Sequence, residues 1–148
     1  MTDRSFSTTI TVDRTPADVY DAVNQPQVWW STSIEGSADR VGSEFAFDSP
    51  GHHCWRFRVI ELAGPDRIVW RVLDNSSTDF VADPSEWNGT EVRFDLSRHD
   101  GRTQVRFTHT GLVPDFECFD ACSMGWTGYI QHSLRNLLTT GLAEPGAY

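Results

Sequence analysis

Apolar and polar residues alternate along six segments of the chain, and this alternation predicts β-strands with one buried side. The segments are Phe6 to Val12, Glu44 to Asp48, Cys54 to Leu62, Arg67 to Leu73, Glu91 to Ser97 and Gln104 to Thr110. Turn-forming residues at Gly64-Pro65-Asp66 and at Asp100-Gly101 each separate two neighbouring segments, which predicts two hairpins. We therefore expect an antiparallel sheet with one aromatic face and an opposite face of arginines and carboxylates.

Two short helices are predicted between the first and second of these strands. Thr15 supplies an N-cap and Pro16 a favourable first residue for one helix, which Pro26 ends. Trp29 and Trp30 are placed on a second short helical turn, before a loop that is rich in serine and glycine. The short helices thus interrupt the run of strands near its beginning.

A longer helical pattern appears near the end of the chain, from Cys118 to Thr140. Its apolar side is predicted to carry Cys122, Trp126, Tyr129, Ile130, Ser133, Leu134 and Leu137. A helix of about 20 residues is roughly 30 Å long, which is enough to cross the sheet and cover its aromatic face. The sequence predicts one α+β domain over residues 1–148, with a curved antiparallel sheet wrapped around a long C-terminal helix.

Composition narrows the classes of function. The chain has 148 residues with 12 basic and 21 acidic side chains and a net charge of -9, and every basic residue is arginine. So acidic a chain is a poor partner for nucleic acid or an anionic membrane, because phosphate binding needs clustered cations. The absence of lysine excludes Schiff-base chemistry. Three cysteines without a CxxC pair offer neither a disulfide framework nor a zinc site, and together with the lack of a signal-peptide pattern they favour the cytoplasm.

Short motifs spread over nearly the whole chain resemble one protein family. They are the runs from Thr15 to Ala22, Val41 to Phe45, Arg67 to Trp70, Trp87 to Val92 and Phe107 to Leu112, and Gly125-Trp126 in the last helix. In this order they resemble the START-related helix-grip superfamily (SRPBCC), and more narrowly its bacterial branch named after the activator of the heat-shock chaperone ATPase. The stretch from Asn75 to Glu86 matches no motif of that branch.

The resemblance implies an apolar cavity between the sheet and the C-terminal helix, in which relatives hold lipids, hormones or polyketides and in some cases transform them. The rings expected around a ligand are those of Trp55, Phe57, Trp70, Phe94, Phe107 and Trp126. His109, Tyr129 and Ser133 would add the few polar groups that orient a ligand. The alternative is an ordinary close-packed core, because alternation shows which face a ring occupies and not whether a void remains.

Three functions stay open on the sequence alone. The first is binding of a small, mainly hydrophobic molecule in the cavity, with no cofactor. The second is a cyclase- or dehydratase-type enzyme in the same cavity, for which His109 is the titratable group; a buried histidine satisfied by a neighbouring hydroxyl is the plainer interpretation. The third, implied by the name of the branch, is a chaperone-associated interaction protein.

Other polar clusters are weaker candidates. Cys118 and Cys122 lie one helical turn apart and His52-His53-Cys54 forms a second group, but neither has a complete set of four ligands. No metal site is therefore predicted. The acidic side chains of one loop are expected to be solvated: Asp79, Asp83 and Glu86. The arginines of the outer sheet face are expected to pair with carboxylates across strands.

Overall fold

A computed structural model of the chain describes residues 5–30, 34–49, 53–75, 89–114 and 119–143. The strands are β1 (Phe6–Val12), β2 (Ile34–Gly36), β3 (Glu44–Ser49), β4 (His53–Ala63), β5 (Arg67–Asn75), β6 (Glu91–His99) and β7 (Arg102–Thr110). They form one curved antiparallel sheet in the order β1-β7-β6-β5-β4-β3-β2. The predicted fold class is therefore confirmed, and the sheet is continuous from one edge to the other.

The described strands include all six that alternation predicts, and most extend by one or two residues beyond the predicted ends. Asp100 and Gly101 have φ values of 51° and 81° and turn the chain between β6 and β7, as predicted. The sequence does not predict β2, because three residues are too few to show alternation. This short strand pairs with β3, and Gly36 lies opposite Phe45.

Two short helices, α1 (Pro16–Val23) and α2 (Pro26–Trp29), lie between β1 and β2, as predicted. The hydroxyl of Thr15 accepts a hydrogen bond of 3.2 Å from the backbone N–H of Asp18 and so caps α1. Pro26 is the first residue of α2, where its missing N–H costs nothing. The proline that ends one helix therefore begins the next.

The C-terminal helix spans residues 119–140 in three consecutive parts, α3 (Phe119–Gly128), a π-helical segment (Tyr129–Leu134) and α4 (Arg135–Thr140). In the π-helical segment the backbone N–H of Arg135 donates to the carbonyl of Ile130, five residues earlier rather than four. This wider turn contains one extra residue, so the residues that follow it face the sheet one position later than in a regular α-helix. Leu138 is therefore buried, whereas Leu137, predicted to face inward, is only half-buried. No helix in the described parts of the chain is long and apolar enough to cross a membrane.

The outer face of the sheet carries the cross-strand ion pairs that the sequence predicts. Arg56 and Arg58 on β4 both donate to Glu44 on β3, with N–O distances of 3.0 and 2.7 Å. Arg71 on β5 donates to Glu91 on β6 at 2.9 Å. The hydrogen bond from Arg58 lowers the pKa of Glu44. Exposed pairs contribute about 0–1 kcal/mol each, so the stability of the fold comes mainly from the opposite, apolar face.

Gly36 determines how closely β2 approaches β3. Its φ is +97°, and a Cβ at this position would lie 2.9 Å from the Cα of Phe45 and still closer to the carbonyl oxygen of Glu44. Only glycine fits this site, because real Cβ atoms do not approach backbone so closely. The close approach of Gly36 also affects the interior, because it involves the backbone of Phe45, whose ring stacks on that of Phe57 with centroids 5.1 Å apart.

We expect Gly36→Ala to lower the free energy of unfolding by about 2–3 kcal/mol, because the positive φ and the contact with β3 both oppose a methyl group. Gly42→Ala is the matched control: φ is +92° there, but no atom lies within 4 Å of the added Cβ. For the control we expect only the backbone cost, about 1 kcal/mol. Urea unfolding measures both losses, and equal losses would contradict the steric role of Gly36.

Candidate functional site

A closed circuit of aromatic rings fills the space between the sheet and the C-terminal helix. Successive ring centroids around it are 4.7 to 6.2 Å apart, which is within the range of favourable aromatic contacts. The members of this ring circuit, in order, are Phe57, Trp70, Phe94, Phe107, Trp126 and Trp30. The structure thus brings together five of the residues expected around a ligand and adds one, Trp30, that was not expected there.

Trp30 belongs neither to the sheet nor to the C-terminal helix. It directly follows α2, and its ring contacts Phe57 and Trp70 on the sheet, with centroids 5.4 and 6.4 Å away. On the other side it contacts Trp126 and Tyr129 of the C-terminal helix, at 4.9 and 6.1 Å. The indole of Trp30 therefore occupies the space in which the sequence predicts a ligand.

Trp29 also enters this interior, a position that its sequence context does not predict. Its ring lies 6.0 Å from that of Phe94, and its indole N–H donates to the backbone carbonyl of Val23 at 3.3 Å. Two consecutive tryptophans at the end of a four-residue helix carry no periodic signal. Only the size of their rings indicates burial, and ring size alone does not assign them to the site.

His109 is completely buried and hydrogen-bonded at both ring nitrogens. The indole N–H of Trp126 donates to Nδ1 at 3.1 Å, and Nε2 lies 2.8 Å from the hydroxyl oxygen of Thr90. An indole can only donate, so Nδ1 is unprotonated and the proton of the neutral ring is on Nε2, directed to Thr90. Burial lowers the pKa of His109 to about 3. The plainer interpretation of this histidine, a core residue satisfied by a neighbouring hydroxyl, is what the structure contains.

Ser133 and Tyr129, the other two polar residues expected at the site, have different surroundings. Ser133 is buried, and its hydroxyl donates a short hydrogen bond to the backbone carbonyl of Trp29. This bond ties α2 to the π-helical segment. Tyr129 is half-buried next to Trp30. Of the predicted site residues, only the side chain of Trp55 lies outside the part of the structure that is described.

The rings of the circuit pack against one another without a gap large enough for water. Phe57, Trp70, Phe94 and Phe107 have no accessible surface, and Trp30 retains only 3%. A cavity that adjoined these rings would leave part of their surface accessible. In the conformation described, the open space that the sequence predicts beside these residues is therefore filled by side chains, chiefly the two tryptophans that α2 brings.

Within the described part of this packing, one indole nitrogen is buried without a hydrogen-bond partner. The indole Nε1 of Trp70 is buried and makes no hydrogen bond to any residue that the structure describes. The rings of Phe45 and Phe94 lie edge-to-face with the indole, with centroids 4.8 and 5.0 Å from it, and an aromatic ring is at best a weak acceptor for an N–H group. Trp70 therefore carries an unused hydrogen-bond donor in the centre of an aromatic interior.

The cysteines form no metal site in the described part of the chain, where no three histidine, cysteine or acidic side chains come together. Cys122 is disulfide-bonded, so the expectation that the cysteines form no disulfide is wrong for this residue. Cys118, His52 and the side chains of His53 and Cys54 lie outside the described residues, as does the acidic loop group Asp79, Asp83 and Glu86.

An outer groove of about 260 Å³ lies apart from the ring circuit, between the two short helices and the end of the C-terminal helix. It is lined by Arg14, Asp18, Asp21, Ala22, Gln25, Val28, Leu137 and Leu138. Arg14 closes one end, where its Nε donates to the carbonyl of Leu138 at 2.8 Å. None of the residues expected around a ligand lines this groove, so it is separate from the candidate site.

The buried, neutral state of His109 predicts a specific pH dependence of stability. Above about pH 6.5 the ring is neutral in both the folded and the unfolded chain, so it makes no pH-dependent contribution. Between pH 6.5 and about 3 only the unfolded chain takes up the proton, so stability falls as the pH falls. We expect this residue to contribute a slope of up to about 1.4 kcal/mol per pH unit.

The measurement is urea unfolding from pH 7 to pH 4.5, for the wild type and for His109→Gln. The substitution removes the titrating ring and leaves the other four histidines and all the carboxylates in place. The difference between the two proteins therefore isolates His109. Parallel curves for the two proteins would show that the ring becomes protonated in the folded state.

The comparisons with known proteins agree with this architecture. A family model described as Activator of Hsp90 ATPase homolog 1-like protein matches residues 13–139. The solved structure of the Aha1 dimer from Colwellia psychrerythraea is 26% identical to this chain, with a TM-score of 0.75. The match covers 93% of this chain and 97% of that one. Among curated proteins, no sequence matches.

Two more distant structures show the fold alone. Protein MLL2253 from Mesorhizobium loti is 16% identical and has a TM-score of 0.64, over 85% of this chain and 92% of that one. DynU16, a protein of the dynemicin biosynthetic locus, is 17% identical with a TM-score of 0.69, over 99% of this chain and 51% of that one. Because the family model spans most of the sequence, the chain belongs to the family of Activator of Hsp90 ATPase homolog 1-like proteins, within the helix-grip superfamily that its motifs resemble.

Proposed function

We propose that this protein binds a small, mainly hydrophobic molecule between its antiparallel sheet and its C-terminal helix, without a cofactor. Membership of the family supports a ligand-binding domain. The site is the interior that the ring circuit occupies. The residues expected around the ligand are Trp55, Phe57, Trp70, Phe94, Phe107, His109, Trp126, Tyr129 and Ser133.

The observation that carries this proposal is the indole N–H of Trp70, which is buried without an acceptor among the residues that the structure describes. A buried donor without an acceptor costs about 1–3 kcal/mol, and folded proteins contain few such groups. A ligand with an oxygen or nitrogen acceptor would remove this cost when it enters the interior. The site would then have the usual composition of a small-molecule site, with apolar walls and a few polar groups that fix the orientation.

The enzyme alternative is weaker, because His109, the titratable side chain that is fully buried among the described residues, is already engaged. A general base needs a free lone pair, and the only lone pair on the ring of His109 accepts the indole N–H of Trp126. With its pKa lowered to about 3, the ring is also a poor proton acceptor at neutral pH. A cyclase or dehydratase that uses His109 would first have to break the contact with Trp126.

A chaperone-associated role is the second candidate function. The observation in its favour is the match to Aha1 of Colwellia psychrerythraea, which covers 97% of that chain. The test is the ATPase rate of a purified bacterial chaperone of the Hsp90 type, with and without this protein. A rate that rises with the amount of protein would support the role, and a constant rate together with no complex on gel filtration would remove it.

For ligand binding, we expect the neutral dye Nile red to bind saturably to the wild-type protein and to quench its tryptophan emission. Trp126→Ala removes one wall of the site and should weaken binding by at least about tenfold, which corresponds to 1.4 kcal/mol. Met124→Ala is the matched control, because Met124 lies on the same helix and is 72% exposed. We expect the control to bind as the wild type does.

Native mass spectrometry of freshly purified protein would identify a ligand that is retained from the cell. The indole N–H signals of the wild type in NMR spectra give a readout that does not depend on any variant, and those of Trp70 and Trp126 should move when the dye binds. The proposal fails if the dye does not bind saturably, or if it binds while both signals stay in place.

A further inference from the structure

We propose that the outer groove is a second binding site, which takes an α-amino acid with a short apolar side chain. The groove shares no lining residue with the ring circuit, and the inference does not depend on the function proposed above. Three features of the groove carry it. They are the order of charged and apolar residues along one wall, the charged groups that the protein itself leaves unused, and the volume.

One wall of the groove changes from charged to apolar along its length. Asp18, Asp21 and Ala22 follow one another on α1 at spacings of three and four residues, which places them on the same face of the helix. Arg14 precedes this helix, and Val28 belongs to α2, which follows it. The wall therefore has a charged end near Arg14 and an apolar end near Val28.

The opposite wall is formed by the last part of the C-terminal helix, where Leu137 and Leu138 line the groove. Leu137 is only half-buried, because the π-helical segment shifts the face that α4 turns to the sheet. In a regular α-helix this leucine is predicted to face inward. Extra residues of this kind are frequent at functional sites, and here the shift adds an apolar side chain to the groove.

The charged groups of the groove are not paired with one another. The carboxylates of Asp18 and Asp21 form no ion pair and no hydrogen bond within the part of the chain that the structure describes. Arg14 donates through Nε to the carbonyl of Leu138 at 2.8 Å, which fixes the guanidinium and leaves its two Nη groups for a ligand.

This arrangement fits a ligand that carries both signs of charge close together. An ammonium group is complementary to the two aspartates, and a carboxylate is complementary to the guanidinium of Arg14. An α-amino acid holds both groups on one carbon atom. Its side chain would then extend along the apolar part of the groove, so that apolar walls and a few charged groups together define the site.

The volume of the groove sets the size of this side chain. A space of about 260 Å³ holds roughly nine heavy atoms at about 30 Å³ each. The ammonium, the carboxylate and the carbon between them use about five of these atoms, which leaves about four for the side chain. Leucine, isoleucine and norleucine have this size, whereas tryptophan is too large.

The first experiment compares norleucine with two probes that each lack one charged group. Pentylammonium lacks the carboxylate, and hexanoate lacks the ammonium. Affinities for the wild type are measured by NMR titration of the backbone amide signals of Ala22, Gln25 and Leu138, which line the groove. Norleucine should bind about two- to fivefold more tightly than either probe, the range expected for one solvent-exposed ion pair.

The second experiment assigns each charged group of the ligand to its partner. Arg14→Gln should abolish the preference for norleucine over pentylammonium. Asp18→Asn/Asp21→Asn should abolish the preference for norleucine over hexanoate. Each preference is a ratio measured within one protein, so a small change in the shape of the groove affects both of its members.

Matched controls remove the same charges from surfaces outside the groove. Arg40→Gln replaces an arginine whose side chain is 81% exposed, and Asp39→Asn/Asp100→Asn removes two carboxylates. None of these residues lines the groove. We expect both controls to keep the two preferences of the wild type, because only the net charge of the protein changes.

The third experiment tests the apolar end with alanine, which has the charged groups of norleucine and a shorter side chain. Norleucine should bind to the wild type at least about fivefold more tightly than alanine, because its additional methylene groups are removed from water. Val28→Ser should reduce this difference. Val41→Ser is the control and should not, since Val41 is also exposed, at 58%, but lies outside the groove.

The outcomes separate this inference from the proposed function. Equal affinities of the wild type for norleucine and either single-charge probe would overturn the inference, and this comparison decides it even if a variant does not fold. It is also wrong if norleucine moves the indole signals of Trp70 and Trp126 instead of the groove signals, or if the controls lose the preferences. None of these results affects the binding of Nile red to the ring circuit, which tests the proposed function.

Discussion

The structure depends on how the aromatic face of the sheet is covered. The C-terminal helix does not cover it alone, because the indole of Trp30 lies between Phe57 on the sheet and Trp126 on the helix, and the indole of Trp29 packs against Phe94. At Trp30 the interior is thus a stack of three layers, in which the middle layer directly follows a helix of four residues, whereas Trp126 contacts Phe107 on the sheet without an intervening ring. Each buried ring removes about 150–250 Å² from water, so this stack supplies much of the stabilisation that the solvated outer face does not.

The polar atoms within this stack are few, and their hydrogen bonding sets the chemistry of the interior. His109 connects Trp126 of the C-terminal helix to Thr90, which precedes β6, and it stays neutral because burial disfavours its charged form. Ser133 connects the same helix to α2. These bonds hold the layers in register, and they leave Trp70 as the buried indole whose donor is not used by the described residues.

Much of the fold was predictable from the sequence, because alternation and capping are local signals. The strands of the sheet, the cap at Thr15 and the inward phase of His109 all followed from spacing within short segments. The residues that fill the interior were not predictable. The spacing of apolar residues shows which face of a strand or helix a side chain occupies, but not which neighbours it contacts. Trp30 fills the middle of the ring circuit, and no spacing in the sequence predicts the disulfide of Cys122.

The π-helical segment allows the two ends of the C-terminal helix to be aligned separately. Before it, Trp126 is in phase with Phe107 and His109 on the sheet; after it, Leu138 is buried and its carbonyl accepts a bond from Arg14. With an uninterrupted α-helix, one rotation would have to satisfy both sets of partners. Because of the added residue, substitutions near Trp126 can rotate the first half of the helix while Leu138 and its bond to Arg14 stay in place.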